Sequence, residues 1–236
     1  MNAPTLLLVN ADDFGFTADV NAGILGAFQR GIVRSTTLMA RGAAFDDAVR
    51  LARAHPDLDV GCHLMLVQGP GLPAELPGLI LALARRRLRV YDELARQVGR
   101  VLDAGICPTH LDTHKHTHLL WPPVLAAVCR LAREFGIPWV RKPVLGRPRG
   151  CRTTDHFAGL RLTGRLDAAA LLRVIRRLRS GTTELMCHPG HCGPELLAAP
   201  TRLKASRQRE LEALCAPEVR EALDENQVQL VSFRDL

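Results

Sequence analysis

Apolar residues fall into short unbroken runs that alternate with longer stretches in which they recur every three or four positions. The runs Leu6–Asn10, Ser35–Ala40, Leu58–Leu66, Pro108–Leu111, Ile137–Arg141, Thr183–Cys187 and Val228–Phe233 predict strands, the first buried on both faces. The helical period marks Asp19–Arg30, Phe45–Ala54, Leu79–Arg89, Asp92–Ala104, Pro122–Phe135, Asp167–Leu178, Ala205–Cys215 and Glu218–Leu223. Asp19 is placed to cap the first of these helices and Gly31 to stop it. Two stretches rich in Gly and Pro, Val67–Gly78 and Pro143–Gly159, predict loops, the second long enough to serve as a lid or substrate loop.

Strands alternating with helices argue for a parallel α/β sheet. The chain has no internal repeat and no convincing linker, so residues 1–236 read as a single domain. About seven strand–helix units favour a closed or nearly closed barrel, whose site lies where the strands end. An open doubly wound sheet would gather fewer strand ends.

Four polar clusters fall at those ends: NADDFG (Asn10–Gly15), GCH (Gly61–His63), HLDTHKHTH (His110–His118) and CHPGH (Cys187–His191). They hold paired carboxylates and seven of the nine histidines, the residue types that bind a divalent ion and move protons near neutral pH. Adjacent strand residues diverge, so Asp12 and Asp13 invite a division of labour, one binding metal and the other acting as a base; such a pair also serves turns and caps. In an extended segment His110, Asp112, His114, His116 and His118 would share one face. Their spacing of roughly 6.6–6.8 Å is too long for all to reach one ion with ligands about 2 Å away. One or two would ligate, the others orienting them, holding substrate or belonging to the turn. A surface histidine tract is the plainer alternative. His188 and His191 flank a Pro-Gly turn, from which a histidine can reach a cleft as a general acid. Arg141 is placed to pair with a carboxylate or bind a substrate oxygen. The chain has no Gly-rich phosphate loop, GxSxG elbow or HExxH.

Composition narrows the classes further. The 236 residues are 47% hydrophobic and 23% charged, enough for a sizeable core, while 4% aromatic content argues against a stacking platform for nucleic acid. The net charge of +7 concentrates in Arg85–Arg87 with Arg89, and in Arg173, Arg176, Arg177 and Arg179. Solvated helix faces account for such runs; attraction to an anionic partner, nucleic acid or a membrane surface with peripheral association, is the sharper minority reading. No stretch is long enough for a membrane span, and the N-terminus lacks a basic leader. Seven cysteines without a CxxC pair predict reduced thiols in a cytoplasm, with Cys62 and Cys187 as packing residues. The oligomeric state is left open, a homodimer included.

NADDFG, STT (Ser35–Thr37), GCHL (Gly61–Leu64), THLDTHKHTH (Thr109–His118), MCHPG (Met186–Gly190) and SFRDL (Ser232–Leu236), in this order, resemble the signature blocks of the YdjC-like family, whose best-known members are chitooligosaccharide deacetylases. The resemblance spans essentially the whole chain. It implies a barrel-like (β/α) fold of distorted TIM type, similar to polysaccharide deacetylases, and hydrolytic removal of acetyl groups from N-acetylated sugars. It implies one divalent metal ion, Mg2+ or Zn2+, on Asp13, His63 and His114, with Asp12 as base and a protonated His188 as acid. Asp112 then orients a histidine, and His116, His118, Arg141 and His191 serve substrate or support. Thr113 and Lys115 depart from the family's usual block; Lys115 is expected on the face opposite His114. The region Val67–Tyr91 is shorter than in the chitooligosaccharide enzymes, and a branch of the family tied to hopanoid synthesis would use a glycolipid. The alternatives are a metal-dependent phosphoesterase on the same barrel, or a non-catalytic protein that binds metal or an anion.

Overall fold

The computed structural model describes residues 3–146 and 148–236. Eight strands form one parallel sheet: β1 (Thr5–Phe14), β2 (Ser35–Leu38), β3 (Asp59–Leu64), β4 (His110–Thr113), β5 (Trp139–Val140), β6 (His156–Ala158), β7 (Gly181–Cys187) and β8 (Val228–Val231). The order is β5-β4-β3-β2-β1-β7-β6, with β8 on β1. β7 runs along one edge of β1 from Thr5 to Ala11. On the other edge β8 takes Thr5–Leu8 and β2 takes Asn10–Phe14, so β8 is wedged in at the foot. β5 makes a single further bridge, Trp139 to Arg152 four residues ahead of β6, and no ladder joins β5 to β6 among the described residues, so the barrel is incompletely closed.

The helices are α1 (Ala18–Arg30), α2 (Phe45–Ala54), α3 (Leu76–Ala84), α4 (Val90–Asp103), α5 (Thr117–Leu120), α6 (Pro122–Glu134), α7 (Ala168–Ile175), α8 (Pro194–Ala198), α9 (Ala205–Cys215) and α10 (Pro217–Glu225). Their apolar stripes pack on the outer face of the sheet, where Leu7, Val9, Ala11, Val60, Cys62, Leu64, Leu111, Leu185 and Cys187 are buried with Ile24, Val98, Val128 and Leu171. Cys62 and Cys187 are thus packing residues, as their apolar neighbours predict.

Several local expectations are corrected. Thr17, not Asp19, caps α1: its hydroxyl accepts from Val20 N at 3.2 Å, while Asp19 accepts from Leu196 N. The first loop ends at Glu75 because α3 starts at Leu76, with Pro77 in its first turn. The second loop, position 147 of which lies outside the described residues, contains β6; three residues beside β7 leave no periodic signal. β8 stops at Val231, where Ser232 caps a final turn with Asp235. β4 ends at Thr113, and Lys115 and His116 follow with φ of 55° and 53°. These left-handed residues break the alternation that would have put five side chains on one face.

Candidate active site

The inward faces of the strands carry a stack of polar side chains. Its floor is a small apolar plug of Leu8, Trp139 and Phe233. The Phe233 ring stacks on His110 at 3.9 Å, and His110 Nε2 meets Asn10 Oδ1 at 2.9 Å. Gly61 makes room for this ring: a Cβ there would lie 2.6 Å from it.

One turn of the barrel higher, Arg141 is fully enclosed by carboxylates. Its Nη1 and Nη2 donate to Asp12 at 2.8 and 2.6 Å, Nε donates to Glu184 at 2.7 Å, and Nη1 lies 2.7 Å from Asp112. Burial opposes the charge on Asp12, but the Arg141 guanidinium holds its carboxyl well below the usual carboxylate range. Burial raises Asp112, with the charge of Asp12 adding to it, and pushes Glu184 up to about 7. Asp112 Oδ1 faces His63 Nδ1 at 2.7 Å, fixing the ring so that Nε2 points to the mouth. Thr37 Oγ1 supports both, 3.2 Å from each.

At the mouth Asp13 sits on a bulge of β1 with φ of 72°, which turns its carboxylate away from Asp12. His63 Nε2 and His114 Nδ1 converge on Asp13 Oδ1 at 3.3 and 3.1 Å, and Arg207 of α9 pairs with Oδ2. Donor atoms of Asp13, His63 and His114 all lie within 4.8 Å of one another, as do those of Asp12, His116 and His188, and of Asp12, His63 and Asp112. In the last two sets Arg141 already occupies both Asp12 oxygens. The first set retains two imidazoles and a carboxylate facing a cleft, a donor chemistry that fits one divalent ion. Four buried carboxylates, Asp12, Asp13, Asp112 and Glu184, surround two guanidiniums, so positive charge is favoured there. Burial opposes protonation of His63, yet its bonds to Asp112 and Asp13 raise the ring to about 10.

A cleft of about 250 Å³ opens above, lined by Asp13, His114, Lys115, His116, His188 and Arg207 together with Phe16, Gln68 and Leu76. Lys115 therefore shares the cleft with His114 rather than the opposite face, because its left-handed backbone ends the strand. His188 Nδ1, His116 Nδ1 and Arg207 Nη1 are buried without a hydrogen-bond partner among the described residues. Burial lowers His188 to about 4 and His116 to about 3, which favours the neutral rings. His118 tucks back against Thr113 Oγ1 at 2.7 Å. His191 stays outside the cleft: its turn is tied to Asp19 O, and its ring meets Gln208 at 3.3 Å.

Sequence reasoning missed Glu184, Arg207 and Glu210. A lone acid inside the buried strand TTELMC was a usable signal for Glu184. Arg207 and Glu210 lie on α9, whose sequence looks solvated; both are buried, and Glu210 accepts from His188 N at 2.6 Å. Burial pushes Glu210 up to about 7.

An incompletely closed parallel α/β barrel with an Asp–His–His group at its mouth above an arginine-clamped carboxylate has the architecture of a barrel enzyme. The chain belongs to the YdjC-like protein family, whose model matches residues 6–225. It is 36% identical to a carbohydrate deacetylase of Geobacillus stearothermophilus, with 98% of each chain covered. It is 33% identical to a chitooligosaccharide deacetylase of Serratia marcescens, with 98% of this chain and 99% of that one covered. A protein of Enterococcus faecalis V583 shares the fold at TM-score 0.86 and 27% identity over 99% of both chains. The family 4 carbohydrate esterase of Streptomyces lividans, in complex with acetate, shares it at TM-score 0.55 and 15% identity, covering 98% of this chain and 95% of that one. The barrel expected from alternating strands and helices is thus borne out.

Proposed function

We propose that this protein hydrolyses the N-acetyl amide of a sugar, on an oligosaccharide or a glycolipid, with one divalent ion. The observation that carries the reading is the convergence of Asp13, His63 and His114 beside the clamped Asp12 and the partnerless His188 ring. The names of the family relatives support the substrate class. An ion held by Asp13, His63 and His114 would polarise the acetyl carbonyl and acidify a water; two imidazoles suit Zn2+, and Mg2+ remains the other candidate.

The rest falls to side chains. Arg141 holds Asp12 as a carboxylate in the resting protein, with its orientation set. Asp12 accepts the proton of the attacking water. Being held far below the carboxylate range, it is a weak base and gives the proton up readily. The His188 ring, within 4.8 Å, takes it and delivers it to the departing amine. Neutral at the outset, His188 is free to act as this carrier. Arg207 Nη1, with no other partner, is available to a sugar oxygen.

A panel of N-acetylated oligosaccharides and glycolipids assayed for free acetate tests the reading. We expect acetate release that ends on exhaustive chelation and returns with one added metal. Full activity after chelation would refute it. A phosphoesterase would instead release phosphate and need two ions; the Arg141 clamp on both Asp12 oxygens argues against a second. A non-catalytic metal or anion binder would tolerate Asp12→Asn.

A further inference from the structure

The helix α3, Leu-Pro-Gly-Leu-Ile-Leu-Ala-Leu-Ala, contains no polar side chain. A helix that is apolar all round is normally enclosed. Here only Leu79 is buried, while Leu76, Ile80 and Leu81 are 43%, 59% and 50% exposed. At 100° per residue these three span one continuous exposed arc of the helix, from the cleft rim at Leu76 round to Ile80 and Leu81. The helix runs straight into Arg85, Arg86 and Arg87, all exposed and without a carboxylate partner among the described residues.

The placement is as unusual as the composition. Seven large hydrophobics are exposed among the described residues, and six of them, Leu76, Ile80, Leu81, Val144, Leu145 and Leu197, lie in segments that leave the C-terminal ends of β3, β5 and β7. Parallel strands start those segments at the end of the barrel that holds the cleft, and Leu76 itself lines the cleft. Only Phe135 lies at the opposite end, just before β5.

We infer that α3 docks the mouth of the barrel on an anionic lipid bilayer, the apolar arc entering the headgroup boundary and the arginines meeting lipid phosphates. A short apolar helix that ends in a cluster of cations can bury its exposed arc at a bilayer surface while the cations meet anionic headgroups, and it is too short to cross. No helix among the described residues is long and apolar enough to cross. The charge also selects the occupant: a second copy would set three unpaired arginines per chain against the lone Glu75 at the other end of the helix. This inference stands apart from the proposed hydrolysis, since Ile80, Leu81 and Arg85–Arg87 do not line the cleft.

The test is co-sedimentation of the full chain with vesicles of phosphatidylglycerol and phosphatidylcholine, or of phosphatidylcholine alone. Wild type should pellet with the anionic vesicles and stay in solution with the neutral ones. Ile80→Asp with Leu81→Asp should lower partitioning about tenfold or more, and Arg85→Glu with Arg86→Glu similarly at low salt. Circular dichroism and acetate release from a soluble N-acetylated oligosaccharide should match wild type in both. Equal binding to both vesicle types, or binding untouched by the two double variants, would overturn the inference. So would a stable dimer that the apolar double variant dissolves, since a second copy would then cover the face.

Discussion

Glu184 and Leu185 are neighbours on β7 that face opposite ways. Leu185 joins the apolar shell between sheet and helices, where any side chain of similar volume would serve. Glu184 joins the interior stack, where Arg141 answers to Asp12, Asp112 and Glu184 and His63 shares Asp112. The outer face gives the barrel its stability. The inner face places charges in low dielectric, where the carboxylates depend on Arg141 and His63 for compensation. That division explains why the interior of so small a barrel is polar: it is the support of a site, and its groups are fixed before a substrate arrives.

The largest stability effect should come from Arg141→Met. It leaves Asp12 and Glu184 without their cation and Asp112 with His63 alone, and a broken buried network typically costs about 3–5 kcal/mol. Urea unfolding should show this together with loss of turnover; a variant as stable as wild type would mean that the inner stack is held by something else. Leu185→Ala should cost about 2–5 kcal/mol by the same measurement while turnover per folded molecule stays near wild type. A large fall in kcat would erase the distinction between the two faces.

Glu184→Gln should have the smallest effect and an opposite sign. Burial raises Glu184 from 4.5 to about 7, so the folded state holds a proton that the unfolded state has released. Stability from this group is full below about pH 4.5 and falls as pH rises through 7. Glutamine keeps an acceptor for Arg141 and carries no charge, so the variant should gain about 1–3 kcal/mol over wild type at pH 8 and little at pH 5. Thermal melts at the two pH values check it; equal differences at both would place the charge elsewhere. Glu210, also raised to about 7, keeps a slope of the same sense in the variant.

The sequence made the outer face legible because periodic apolar burial repeats along every element. It also made the strand-end clusters legible, since Asp12, Asp13, His63, His114 and His188 follow apolar runs that can end only in one place in a parallel barrel. Whatever depended on backbone dihedrals stayed hidden. The left-handed Lys115 and His116 redirect a tract that reads as alternating, and the bulge at Asp13 separates two adjacent carboxylates. Partners that arrive from distant helices were equally invisible: Arg207 reaches Asp13 across 194 positions of sequence from a helix that reads as solvated. β6 was missed because three residues gain strand form only by pairing with β7.

The central claim is that Asp13 holds an ion while Asp12, one residue away and held by Arg141, moves a proton. It is tested by measuring bound metal and acetate release on the same preparations of Asp12→Asn and Asp13→Ala. The account predicts that Asp12→Asn keeps about one equivalent of divalent ion and loses turnover by about 10²–10⁴-fold, whereas Asp13→Ala loses both. Wild-type turnover in Asp12→Asn, or undiminished metal in Asp13→Ala, would contradict it.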